Sequence, residues 1–161
     1  MKELSGIKKK INIIFRLYNK KYDLNEILKT KNYCKKKGFN LLLANNIRLA
    51  SKLNLSGVYI PSFNKKINYK NISTAKNFKI IGSAHNLREV KIKESQNCSE
   101  IFISPLFKTK KNNSFLDIVK FNLIAMETKK KIVALGGISK KNLKKIKLLK
   151  CFGFAGISYF K

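Results

Sequence analysis

Seven short apolar runs constrain this chain more than any other feature. They are Ile11–Tyr18, Phe39–Ala44, Gly57–Pro61, Phe78–Ser83, Glu100–Phe107, Lys131–Gly136 and Gly153–Phe160. Each is rich in β-branched or aromatic residues and almost continuously apolar. Strands buried on both faces of a parallel sheet read this way, whereas half-exposed strands alternate. Helical stretches separate most of the runs. Asp23 through Glu26 form a capping-box-like start to a helix that runs to a terminal glycine, Gly38. Further helices are expected over Ile47–Leu53, Leu87–Ser95, Ser114–Lys129 and, capped by Ser139, Lys140–Lys150. Residues 65–76 are polar and ambiguous. Strand–helix alternation of this kind implies an α/β fold with seven parallel strands joined by right-handed crossovers. Both a barrel and an open doubly wound sheet satisfy it.

The 161 residues contain two prolines, Pro61 and Pro105, and no linker, which predicts a single domain over residues 1–161. Net charge is extreme at +28, yet 33 of the 36 basic residues are lysine. Base-reading sites favour arginine, whose planar fork engages two acceptors at once. No aromatic-interleaved basic motif accompanies the lysines. The excess therefore reads first as a solvated basic face; a phosphate-bearing partner is the next reading, with phosphorylated small molecules ahead of nucleic acid. The three cysteines form no Cys-x-x-Cys pair, and His85 is the single histidine. That speaks against a disulfide framework or a zinc site and for a reducing cytoplasmic setting. No apolar run approaches the ~20 residues of a membrane helix, so no membrane association is expected.

In either architecture, ligands bind at the carboxyl ends of the strands. The candidates placed there are Arg16, Asn45, Asn46, Ser62, Ser83, His85, Thr109, Gly136, Gly137 and Lys161. Arg16 falls inside an apolar run, where a charge needs a partner or a ligand. Gly136-Gly137 ends one strand just before a helix, where backbone amides can approach an anion; an ordinary tight turn would read the same. His85 could serve acid–base chemistry or hold a loop. None of the 8 acidic residues falls at a strand's carboxyl end, which predicts no conventional metal site.

Taken in order, five segments resemble the thiamine-phosphate synthase/TenI family. Gly57–Ser62 is similar to its G-V-H-L strand in the branch that continues Pro-Ser. Ile81–Leu87 resembles I-G-x-S-x-H-S-L, Ser104–Thr109 resembles G-P-V-F-x-T, Val133–Ile138 resembles V-A-I-G-G-I, and Gly153–Ile157 resembles the last strand. The resemblance implies a TIM barrel. It implies condensation of a hydroxymethyl-pyrimidine diphosphate with a thiazole phosphate, using Mg²⁺, to give thiamine phosphate and pyrophosphate. It places Arg16 and Ser83 in catalysis. It places Arg16, Asn45, Asn46, Ser83, His85, Thr109, Lys111, Gly136 and Gly137 at the substrates.

Departures from the family pattern matter as much. The flanks of Arg16 in the Gln-x-Arg-x-Lys motif are Ile14 and Tyr18. The metal-binding Asn-Asp pair is Asn45-Asn46, and the second metal aspartate falls near Asn64. The second threonine of T-x-T is Lys111, and the tautomerase histidine falls on Pro105. With both carboxylates replaced, Mg²⁺ should bind poorly; lysines such as Lys108 and Lys111 would then neutralise phosphate. The first apolar run aligns with the family's second strand. The expectation is a barrel incomplete at both ends and lacking its first strand, with three explanations open: a start missed upstream, an open barrel, or a partner such as a second copy in a homo-oligomer covering the edge. A non-catalytic phosphate-ligand binder is the alternative function, and a basic nucleic-acid-binding protein ranks behind it.

Overall fold

The computed structural model describes residues 11–17, 22–67, 75–109, 113–156 and 159. Its elements are β1 (Asn12–Phe15), α1 (Leu24–Lys37), β2 (Asn40–Ala44), α2 (Ile47–Lys52), β3 (Gly57–Ile60), β4 (Lys79–Ala84), α3 (Leu87–Ser95), β5 (Glu100–Ile103), α4 (Asp117–Met126), β6 (Lys131–Leu135), a 3₁₀ helix (Leu143–Leu148) and β7 (Gly153–Ala155). The seven strands hydrogen-bond in chain order. The pairs β1–β2, β2–β3, β5–β6 and β6–β7 are parallel. An order without reversal is barrel-type winding; a doubly wound sheet turns back on itself at a switch point. The fold is α/β and TIM-barrel-like. Every expected strand is present; six are trimmed by one to several residues, while β4 starts one residue later and runs one residue further, to Ala84.

Contacts cluster into two compact units, residues 1–81 and 82–161. In the first, alternate residues of β2, Leu41 and Leu43, join Ile27 and Cys34 of α1 and Ala50 of α2 in one buried cluster, with Ile13 and Phe15 of β1 packed against it. The intervening Leu42 and Ala44 are buried on the other face of the strand. This two-sided burial is why the run reads as continuously apolar. Helix α1 is bounded as its sequence requires. Asp23 accepts the Asn25 N–H at 2.8 Å, and Gly38 at φ 69° donates to the Cys34 and Lys35 carbonyls. The cap engages Asn25 and not Glu26, so the capping box is realised as a simpler aspartate cap.

In the second unit, the missing side chain of Gly82 makes room for a buried group. A Cβ there would lie 2.6 Å from Lys93 Cδ and 2.9 Å from Cys98 Sγ. Alternation along β4 therefore turns Ile81 and Ser83 to the opposite face. Lys93 is 0% exposed, and its ammonium donates to Gln96 Oε1 at 2.8 Å. Burial pushes the Lys93 ammonium down to about 8, with Cys98 and Glu89 pulling it back up. The same burial pushes the Cys98 thiol up to about 11.

Two expected helices are corrected. Helix α4 starts at Asp117, not Ser114, because Asp117 takes a left-handed backbone, φ 61°, which a continuous right-handed helix through it cannot contain; the Leu116 and Asp117 N–H groups hold this turn on the Pro105 and Leu106 carbonyls. The expected helix over Lys140–Lys150 contracts to the 3₁₀ turn. Lysines at 140, 141, 144, 145 and 147 recur at spacings of three and four, which disfavours an α-helix by like-charge repulsion. Ser139 is not its cap. Asn142 instead accepts the Ser139 N–H at 2.8 Å and donates to the Gly137 carbonyl at 2.7 Å.

Candidate functional site

The first unit holds a pocket of about 550 Å³ at the carboxyl ends of β2 and β3. Its walls are set by backbone geometry. The Asn45 N–H donates to the Tyr59 carbonyl, continuing the β2–β3 ladder one residue past the strand. Asn45 then adopts a left-handed backbone, φ 57°, which asparagine tolerates better than most residues. The chain turns there into α2, where Asn46 caps the helix by accepting the Leu49 N–H at 3.0 Å. Past β3, a turn closes with the Asn64 N–H on the Pro61 carbonyl. Asn64 then donates from Nδ2 to Asn45 Oδ1 at 2.6 Å and accepts the Lys66 N–H at 2.9 Å. Two loops that the sequence leaves separate are thereby clasped by a pair of carboxamides.

Asn45 and Asn46 line this pocket with Arg48, Phe63, Asn64, Lys65 and Lys66, over an apolar floor that includes Val58 and Ile60. Phe63 is 61% exposed and presents an aromatic surface at the rim. Arg16 follows β1 directly. Because Phe15 pairs with Leu43, Arg16 comes level with Ala44 at the same strand ends. It is exposed, which corrects its reading as a charge inside an apolar strand: the strand stops at Phe15. Ser62 is half-buried in the turn after β3. The sequence reading missed Arg48, Phe63, Lys65 and Lys66. Their one signal was proximity to Asn46 and Pro61, drowned by the general lysine excess.

The second unit holds the other candidates. Ser83 is 4% exposed near the end of β4. His85 follows and is held twice. Its main-chain N–H donates to the Glu89 carboxylate at 2.7 Å, while Asn86 accepts the Glu89 N–H at 2.9 Å. This is a capping box displaced by one residue. Its ring Nδ1 lies 2.6 Å from the Ser104 carbonyl. A carbonyl only accepts, so Nδ1 carries the proton in this contact. Thr109 is half-buried in an isolated β-bridge. Lys111 and Lys161 lie outside the described residues.

Gly136 and Gly137 have φ 94° and 70°. A Cβ on Gly136 would meet Pro105 Cα at 2.8 Å, and one on Gly137 would meet the Phe107 carbonyl oxygen at 2.4 Å. The Leu106 and Phe107 N–H groups donate to the Leu135 and Gly136 carbonyls. The glycine pair thus seats the loop after β5, whose Ser104–Pro105 peptide is cis, against the loop after β6. Close backbone packing requires these glycines whether or not an anion binds them.

A model of the thiamine monophosphate synthase family, TMP-TENI, matches residues 10–160. The chain belongs to this family. A curated thiamine-phosphate synthase of Prochlorococcus marinus is 46% identical over 72 residues, 43% of this chain and 21% of that protein. The chain thus matches about a fifth of that relative's length. Among solved structures, thiamine phosphate pyrophosphorylase from Pyrococcus furiosus superposes with a TM-score of 0.74 at 19% identity, covering 96% of this chain and 75% of the other. FabK from Thermotoga maritima gives 0.66 at 10% identity, covering 86% and 48%. These two likenesses bear on the fold.

Membership of this family implies Mg²⁺, and the residues present do not suit it. Mg²⁺ takes hard anionic oxygens. No carboxylate among the described residues lines the pocket, and no group of three or more His, Cys, Asp or Glu among them could hold a metal ion. The amide oxygens of Asn46 and Asn64, the residues that the sequence resemblance set near the family's metal acids, already accept backbone N–H groups.

Proposed function

We propose that the chain acts in thiamine biosynthesis as a transferase of the thiamine-phosphate synthase type. It joins a hydroxymethyl-pyrimidine diphosphate to a thiazole phosphate, giving thiamine phosphate and pyrophosphate. The observation that carries this reading is family membership over residues 10–160. The first unit's pocket supports it, placing cations, amides and an aromatic ring where this fold binds ligands. In the reaction, the bond from the pyrimidine methylene carbon to the diphosphate oxygen breaks, and its electron pair leaves with the diphosphate. The thiazole nitrogen lone pair then forms the new carbon–nitrogen bond.

The protein's task is to stabilise charge growing on the leaving group. Arg16, Asn45 and the pocket cations serve the diphosphate, with Asn46 shaping the loop. Ser83 and Thr109 hold phosphate oxygens, Gly136 and Gly137 supply backbone amides, and His85 joins them at the substrates. Arg16 and Ser83 are the catalytic assignments. We place residues 1–161 in one functional domain working in the cytoplasm. No helix among the described residues is long and apolar enough to cross a membrane. A second copy would cover β1 or β7, the outermost strands of the order.

The test is formation of thiamine phosphate from the two substrates, with Arg16→Ala expected to lower kcat at least tenfold. The amides at both metal-acid positions favour a second reading, ligand binding without turnover. Stabilisation by both substrates with no product formed would establish that one and refute the transferase.

A further inference from the structure

We infer that the pocket at the carboxyl ends of β2 and β3 binds the diphosphate group directly as a metal-free anion, with Arg48, Lys65 and Lys66 doing the electrostatic work of a divalent cation. This rests on the reading of the ligand as a pyrimidine diphosphate. Three observations on one pocket carry it. The first is the donor set. Asn45, Asn46 and Asn64 contribute only neutral amides, and each amide oxygen accepts a hydrogen bond within the protein: Asn45 from Asn64 Nδ2, Asn46 from the Leu49 N–H, and Asn64 from the Lys66 N–H. A hard dication gains little from such oxygens.

The second observation is charge. Every ionisable side chain lining the pocket among the described residues is a cation: Arg48, Lys65 and Lys66. A Mg²⁺ ion would enter against their repulsion with no anion of the protein to offset it. A diphosphate meets the opposite situation, since it brings about as many negative charges as the wall holds positive ones. The guanidinium can engage two of its oxygens at once, and the lysines act as point charges. The third observation is that the arrangement is built. The Asn45–Asn64 clasp ties the loop entering α2, the helix that carries Arg48, to the turn that leads into Lys65 and Lys66. The three cations are thereby held around one cavity of about 550 Å³, within the range of small-ligand sites.

The experiment is calorimetric titration of the full chain with inorganic pyrophosphate at ~0.15 M salt, once in EDTA and once with Mg²⁺ in excess. Binding is expected in EDTA, and several-fold weaker binding with Mg²⁺, because the metal consumes the anion's charge. Triple replacement of Arg48, Lys65 and Lys66 by glutamine should weaken binding in EDTA at least tenfold. The triple variant K144Q/K145Q/K147Q removes the same charge from the 3₁₀ helix and should change binding by less than about threefold. Asn64→Asp should weaken binding in EDTA and gain affinity from Mg²⁺, reversing the metal's sign. Circular dichroism checks that each variant folds, and the single variant Arg48→Gln, with an expected loss of about threefold, replaces the triple if it does not. Binding that requires Mg²⁺ overturns the inference and leaves the transferase reading intact. Equal losses in both triple variants overturn it in favour of net charge alone. A folded protein that binds no pyrophosphate under either condition overturns the diphosphate reading as well.

Discussion

Replacing Lys93 by methionine should remove a rise in stability that the protein gains between neutral and alkaline pH. Lys93 is 0% exposed, and burial lowers it from 10.5 to about 8. Between those values the unfolded chain holds a proton that the folded chain has released, so stability rises with pH across that window. The group's contribution is fully present above 10.5 and lost as pH falls through about 8. Integrating from pH 7 to pH 10 gives a rise of about 2 kcal/mol.

Cys98 opposes it. Its thiol moves from 9.0 to about 11, so here the folded state keeps the proton that the unfolded chain loses. Over the same range this removes about 1 kcal/mol. The two contributions oppose each other in the native sequence. In Lys93→Met the rising contribution disappears and the Cys98 fall remains. Stability at pH 7 itself is less informative. Relief of the buried charge is offset by the Gln96 amide, 1% exposed, which loses its Lys93 partner. Urea unfolding from pH 7 to pH 10, read as the difference between the two proteins, cancels the shared surface lysines. Parallel curves would refute the reasoning, for they would mean that Lys93 does not change protonation in this window.

Gly137→Ala should lose about 2–4 kcal/mol in chemical denaturation, from a left-handed backbone together with a Cβ 2.4 Å from the Phe107 carbonyl oxygen; a loss under 1 kcal/mol would show that the two loops part easily. Asp23→Ala should cost about 1 kcal/mol by uncapping α1, checked the same way. Asn142→Ala should cost about 1–3 kcal/mol, since the Ser139 N–H and the Gly137 carbonyl both lose their partner, and Asn142→Asp should restore only the first of these bonds.

The strands were legible because two-sided burial leaves a simple mark. Leu41 through Ala44 are all buried, and no polar residue interrupts them. Helix α1 was legible because Asp23 and Gly38 each have one dominant structural use. What escaped was anything decided by contacts remote in sequence. Asn64 and Asn45 are 19 residues apart, and their clasp follows from how β2 and β3 pair. Arg48, Lys65 and Lys66 looked like any of the 36 basic residues until the fold gathered them round one cavity. Lys93 was equally anonymous, because its burial depends on the absence of a side chain at Gly82. The late start of α4 was hidden for the same kind of reason, since the left-handed turn at Asp117 is held by bonds to the Pro105 and Leu106 carbonyls, remote in sequence.

The tight seat of Gly136 and Gly137 against Pro105 and Phe107 has a bearing on how experiments on this protein should be interpreted. A saturation-mutagenesis survey will find both positions intolerant, and the natural temptation is to count that as proof of a phosphate loop. Intolerance there carries almost no information about ligands, because the neighbouring backbone alone forbids every larger residue. Informative positions are those where geometry is permissive and chemistry is not. The exposed Arg48 and Lys65 meet that standard, and a survey scored for ligand response at such sites would separate recognition from architecture.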